Sequence, residues 1–194
     1  MISIPYQIIL ASQSPRRKQL LEQLDLPFSV KTKNTDESFP EHLKAQEIPI
    51  YLSQKKADAF MDELAADELL ITADTVVWLQ EKVLNKPENT AHAHEMLRML
   101  SGQKHQVFTG VSLSTRDKRV SFYDETSVHF NHLSDEEISY YIEHYKPFDK
   151  AGSYGAQDWI GLMGVNKIEG TYFNVMGLPV AKLYHELKTN FQSR

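Results

Sequence analysis

The sequence predicts an α/β fold with a mixed sheet. Short apolar runs of strand type, Ile8-Ile9-Leu10 and Leu69-Leu70-Ile71, alternate with segments of helical spacing such as Leu20, Leu21 and Leu24. Residues 105–115 and 119–130 alternate about Arg116-Asp117-Lys118, the pattern of two antiparallel strands. The chain has 194 residues, 41% hydrophobic and 24% charged, enough for one substantial core or one core with two lobes. Helices, parallel-capable strands and a hairpin in this order define the mixed α/β class. No linker divides the chain, so residues 1–194 are expected to form a single domain.

The elements follow in order. Residues 6–12 read as a strand and 15–25 as a helix ending before Pro27. Ser14 is a good N-cap and Pro15 suits the first turn. Phe28–Lys31 is a short strand, and Thr35–Pro40 is a polar loop. Ile50–Leu64 has helical spacing, with Leu52, Ala57, Phe60, Met61 and Leu64 near one face. Glu68–Leu79 is a long strand turning near Gln80-Glu81-Lys82. Thr90 caps a helix that Ser101-Gly102 stops. Ser134 with Glu137 forms a capping box for a helix to about Tyr145. Lys146–Gln157 is a loop, Leu162–Ile168 a strand, Gly170–Pro179 a second loop, and 180–190 a closing helix.

Composition excludes several function classes. A net charge of −5 argues against a grip on long nucleic acid. The chain has no cysteine, so disulfides and thiolate metal sites are ruled out, in keeping with a cytoplasmic location. The apolar stretch before residue 11 lacks a basic leader and carries Pro5 and Gln7, so it reads as a strand rather than a signal peptide. No segment approaches the ~18 apolar residues of a membrane span.

Two features point to chemistry. After Ser14-Pro15, Arg16 and Arg17 occupy the first helical turn, where the dipole favours acidic residues. The penalty is roughly a few tenths of a kcal/mol per arginine at an exposed site, and a bound anion reverses it. A strand, a short loop carrying Ser12 and Ser14, and a cationic helix start describe a phosphate site. Paired arginines on a surface helix also occur without any ligand. The second feature is Asp74, inside an otherwise apolar strand, where a carboxylate is paired, binds metal or faces a cleft. The hairpin after it brings Lys86 back toward Asp74. Asp36-Glu37 and the helical pair Lys55-Lys56 read, taken alone, as solvated. His92 and His94 are two apart on a helix and cannot form an i, i+4 metal pair. The other histidines share no ligand spacing.

Ala11-Ser12-Gln13-Ser14-Pro15-Arg16-Arg17, Ala73-Asp74-Thr75-Val76-Val77, Lys86-Pro87, His105 through Val111, Lys150 through Gln157, and Asn174 through Pro179 occur in order. The set resembles the Maf family of nucleoside triphosphate pyrophosphatases over nearly the whole chain. The resemblance implies a strongly twisted mixed sheet in two lobes around a cleft, similar to inosine triphosphate pyrophosphatases. It implies hydrolysis of a nucleoside triphosphate to the monophosphate and pyrophosphate with a divalent cation, Mg²⁺ or Mn²⁺. It assigns Asp74 as proton acceptor, links Arg16, Thr75 and Gln157 to substrate choice, and places Lys56 and Lys86 on the substrate. Ser12, Ser14 and Arg17 join them at the phosphates, and Glu37 joins Asp74 as a metal ligand.

Within the family, Lys150–Gln157 and Asn174–Pro179 resemble the branch acting on dTTP and UTP rather than the branch acting on 7-methyl-GTP. Two departures from the family pattern are Asp158-Trp159 after Gln157, where glycine is expected, and Asn85 before Lys86-Pro87. The implied partner is a nucleotide, with no nucleic acid and no membrane. Members are often dimers, which makes a homodimer the assembly to test. The rival readings are a nucleotide-binding regulator of cell division without turnover, and a pyrophosphatase for a modified purine triphosphate.

Overall fold

In the computed structural model, which describes residues 2–192, the run Ile8-Ile9-Leu10 lies in β1 (Gln7–Ala11). β1 has parallel neighbours on both edges, β2 (Phe28–Lys31) and β3 (Glu68–Leu79). A strand hydrogen-bonded on both sides and covered on both faces must be apolar throughout, and Ile8 to Ala11 are all buried. β4 (Lys82–Leu84) is antiparallel to β3. β5 (Lys104–Ser114) and β6 (Arg119–Phe130) are joined by a turn in which Thr115 N donates to Lys118 O at 2.8 Å. β7 (Val165–Glu169) is antiparallel to β6. The seven-stranded sheet has the order β2-β1-β3-β5-β6-β7, with β4 on β3, so the mixed α/β class holds.

The helices are α1 (Pro15–Glu22), α2 (Glu47–Asp58), α3 (Thr90–Leu100), α4 (Asp135–Tyr145), α5 (Trp159–Gly164), α6 (Tyr172–Val175) and α7 (Val180–Phe191). Several boundaries differ from those read in the sequence. α1 stops at Glu22, and Asp25 turns the chain with φ 53°. The helix expected over 50–64 starts earlier, where the Glu47 carboxylate accepts from Lys44 N at 3.0 Å. It ends at Asp58 and is followed by a 3₁₀ turn, Met61–Glu63. Asn89, rather than Thr90, caps α3, accepting from His92 N at 2.9 Å. Leu162–Gly164 are helical because Asp158 O accepts from Gly161 N and Leu162 N, which delays β7 to Val165. The loop over 170–179 contains α6, capped by Thr171. The β3–β4 turn is made without glycine: Gln80 and Glu81 both take positive φ, 48° and 65°. That geometry matches the twist of a two-residue hairpin, at a cost of roughly 1–2 kcal/mol per residue.

The chain forms two compact units. The first comprises the residues up to Asp74, Thr109–Asp124 and those from Gly177 on. Its core includes Ile9, Ala11, Ala57, Phe60, Leu64 and Leu70, with Met61 against them, so the apolar face read on the 50–64 segment is the buried one. Gly110 is required here, because a Cβ at that position would stand 2.3 Å from the backbone carbon of Pro49 in α2. The second unit comprises Thr75–Phe108 and Glu125–Met176. Its core gathers Leu97 and Leu100 of α3, Ile138, Tyr141 and Ile142 of α4, and Val107, Phe130 and Tyr154. Among the described residues no helix is long and apolar enough to cross a membrane.

Candidate functional site

In the first unit, a buried hydroxyl network sets α2 against β3 and β5. Thr72 Oγ1 donates to Ser53 O at 2.7 Å, and the hydroxyls of Ser53 and Ser112 share a hydrogen bond of 2.9 Å. Ser53 and Lys56 lie three apart on α2, on one helix face. Thr72 and Asp74 lie two apart on β3, on one sheet face. Fixing Ser53 over Thr72 therefore directs Lys56 at Asp74. The Lys56 ammonium donates to Asp74 Oδ1 and, at 2.9 Å, to Glu37 Oε1. Side-chain exposure is 16% for Lys56 and 11% for Asp74, so this pair is largely withdrawn from water, while Glu37 at 44% faces solvent.

The loop carrying Glu37 is tied to α2 through the neighbouring lysine. Lys55 Nζ donates to Asp36 Oδ2 at 2.8 Å and to Ser38 O at 2.9 Å. Lys55 and then Ser38 hold the Asp36 carboxyl well below the usual carboxylate range. Asp36 and Glu37 are solvent-exposed, as read in the sequence, but they are not unpartnered: Lys55 and Lys56, both partly withdrawn from water, grip these consecutive acids of the loop. The Lys56 ammonium lies on Asp74. Lys86 is exposed, two residues beyond β4, and Thr75 is half-buried in β3.

At the start of α1, Ser14 Oγ accepts from Arg17 N at 3.4 Å and Ser12 Oγ accepts from Ser14 N at 3.1 Å. The first turn carries no acidic residue. Both hydroxyls shape the turn and keep their own protons to donate. Arg17 is anchored by Nε donating to Gly177 O at 2.8 Å. Burial lowers the Arg17 pKa and Arg16 adds to that, whereas the charges of Asp74 and Glu37 oppose it. Arg17 thus stands in the field of the two carboxylates that Lys56 holds. Arg16 is half-buried beside it.

In the second unit, Gln157 occupies a tight turn. Asp158 N donates to Gly155 O at 3.0 Å, which makes Ala156 and Gln157 its central residues. Gln157 Oε1 is buried and has no hydrogen-bond partner. Tyr141 Oη donates to Asp158 Oδ2 at 2.8 Å and accepts from Gly155 N at 3.1 Å. Burial, then that bond to Asp158, raises the Tyr141 pKa, so the phenol keeps its proton. The sequence signals Tyr141 only by its place on the buried face with Ile138 and Ile142. His105 is fully buried, its Nε2 sharing a 2.8 Å hydrogen bond with Tyr154 Oη. Burial, then the charge of His129, lowers its pKa to about 3. Asn85, where the family pattern differs, needs no positive φ, and its carbonyl accepts from Gly152 N at 3.1 Å.

Residues 7–190 match a family described as Maf-like protein. The chain belongs to the Maf family. A curated relative in Phocaeicola vulgatus, a dTTP/UTP pyrophosphatase, is 56% identical over 184 residues, 94% of this chain and 95% of the relative. The dTTP/UTP pyrophosphatases of Bacteroides thetaiotaomicron and Parabacteroides distasonis are 55% and 53% identical over the same shares. Among solved structures, the Staphylococcus aureus Ham1 protein aligns at 15% identity and a TM-score of 0.48, covering 93% of this chain and 99% of that one.

Proposed function

We propose that this Maf protein hydrolyses dTTP and UTP to the nucleoside monophosphate and pyrophosphate, and that residues 1–194 work as a single domain. The observation that carries the reading is the identity of 53–56% over 94% of the chain to relatives bearing that name. The charge cluster of the first unit supports it chemically. Water attacks the α-phosphorus and pyrophosphate leaves, so the reaction needs a proton acceptor and compensation for the charge on the leaving group. Asp74 accepts the proton of the attacking water. Lys56 holds that carboxylate in place, with Glu37 on the same ammonium. Arg16 and Arg17 receive phosphate oxygens at the start of α1, with Ser12 and Ser14 donating their hydroxyl protons. Lys86 adds charge at the leaving group, and Thr75 orients the substrate beside Asp74.

The residues fit a divalent cation. Mg²⁺ takes one or two carboxylates together with substrate phosphates and water, and Asp74 and Glu37 converge on a single ammonium. Among the described residues no group of three or more His, Asp or Glu stands together, and that mode of binding needs none. When bound, the cation neutralises phosphate charge and polarises the water.

For the base, Gln157 Oε1 is the acceptor in want of a donor. The N3–H of thymine or uracil supplies one, and cytosine has no hydrogen there. A buried acceptor left unpaired costs about 1–3 kcal/mol, which favours the bases that pair it. The test is a pyrophosphate-release screen across nucleoside triphosphates with Mg²⁺ or Mn²⁺, each repeated in EDTA. Turnover of dTTP and UTP above the purine triphosphates, lost in EDTA, is the expected result. Preference for 7-methyl-GTP overturns the substrate, and binding without turnover overturns the enzyme.

A further inference from the structure

We infer that Tyr141 and Asp158 are positioning residues for base selection, acting through the turn that carries Gln157; this rests on the substrate reading above. The Tyr141 hydroxyl joins both ends of that turn, accepting from Gly155 N at 3.1 Å and donating to Asp158 Oδ2 at 2.8 Å. Its ring is fully buried in the core of the second unit, so the hydroxyl is a fixed point rather than a mobile one. The backbone closes the same turn through Asp158 N and Gly155 O at 3.0 Å.

Packing leaves this segment little freedom. A Cβ on Gly155 would stand 2.5 Å from Asp158 Oδ2, so the carboxylate lies directly over the glycine. A Cβ on Gly161 would stand 2.0 Å from Ala156 O, so the start of α5 abuts the turn from its other side. Lys150 Nζ donates to Asp149 Oδ1 at 2.8 Å and lies 3.7 Å from Asp158 Oδ2. Gln157 is thus held at both flanks while its own Oε1 is left without a donor. A rigid acceptor discriminates among bases; a loose one re-orients its amide and presents the NH₂ group to a base lacking the N3–H. Tyr141 and Asp158 act through the turn and touch no reacting atom. They act on discrimination, not on hydrolysis.

The experiment compares kcat/KM for dTTP and dCTP in the full-length chain and in Tyr141→Phe, Asp158→Ala and Asp158→Asn, with thermal unfolding measured for each. Asp158→Ala removes the acceptor, whereas Asp158→Asn retains an oxygen for the tyrosine hydroxyl. The dTTP/dCTP ratio is expected to fall about tenfold in Tyr141→Phe and Asp158→Ala, through KM, with kcat for dTTP changed less than about twofold, and to be restored in Asp158→Asn. If Tyr141→Phe does not fold, the Asp158→Ala and Asp158→Asn pair decides. Unchanged ratios in folded Tyr141→Phe and Asp158→Ala overturn the inference, as does a ratio that follows the loss of stability in all three variants alike. A wild-type chain that does not discriminate the two bases overturns the substrate reading first and this one with it.

Discussion

Two helices of this chain begin with a capping serine and then diverge. α4 begins Ser134-Asp135-Glu136-Glu137: Ser134 Oγ accepts from Glu137 N at 3.2 Å, and Glu137 Oε2 accepts from Ser134 N at 2.7 Å. Acidic residues fill its first turn, and the positive end of the dipole is answered within the helix. α1 begins Ser14-Pro15-Arg16-Arg17, with a serine cap but no acidic residue and no reciprocal carboxylate. One helix start is chemically complete, and the other gathers positive charge where the backbone is already positive. The difference separates a helix start that neutralises its own dipole from one that leaves it uncompensated, as the proposed phosphate site requires. Arg17 of that helix start also stands in the field of Asp74 and Glu37, so cation and carboxylate act on one another within the first unit.

The largest expected effect lies at the carboxylate of that unit. Asp74→Asn keeps the shape and removes the proton acceptor, so kcat is expected to fall about 10²–10⁴-fold. Steady-state pyrophosphate release measures it, and near wild-type turnover refutes the assignment. Next is the cationic helix start. Arg17→Ala should lower kcat/KM for dTTP by about 10²-fold, the scale of losing one charge-assisted contact to a reacting group. Ser134→Ala, which removes the cap of the complete helix start, is expected to leave kcat/KM within error. Equal losses of activity in both variants break the comparison between the two helices.

A smaller effect concerns stability against pH. His105 has a folded pKa of about 3, against about 6.5 for an exposed imidazole. Between those values the unfolded chain binds the proton that the folded chain refuses, so stability is lost as pH falls from about 6.5 toward 3, by at most about 1.4 kcal/mol per unit. Chemical denaturation across that range should show the slope, and His105→Asn should flatten it; an unchanged slope contradicts the burial argument. The smallest effect is the capping serine itself. Ser134→Ala should cost about 1 kcal/mol of stability, read from the denaturation midpoint.

Much of the fold is legible because its causes are local. Apolar runs such as Ile8-Ile9-Leu10, the alternation over 105–130 and the Ser134–Glu137 box carry the same message in the sequence and in the structure. Element ends are less legible, since neighbours decide them. Leu162–Gly164 are helical through the Asp158 carbonyl, and α2 starts early through Glu47. In the candidate site, the cations of α1 announce themselves through a broken dipole rule. Lys56 does not, because its position over Asp74 depends on the Ser53–Thr72–Ser112 network formed by three distant segments. Tyr141 is silent for the same reason, its hydroxyl meeting a turn fourteen residues away.

In the proposed reaction, water attacks the α-phosphorus of dTTP and pyrophosphate leaves. Hydrolysis of dTTP in ¹⁸O-labelled water, with the products resolved by mass spectrometry, tests it directly. The expected products are dTMP carrying one ¹⁸O and pyrophosphate carrying none. Label in the pyrophosphate, or formation of dTDP with labelled orthophosphate, contradicts it.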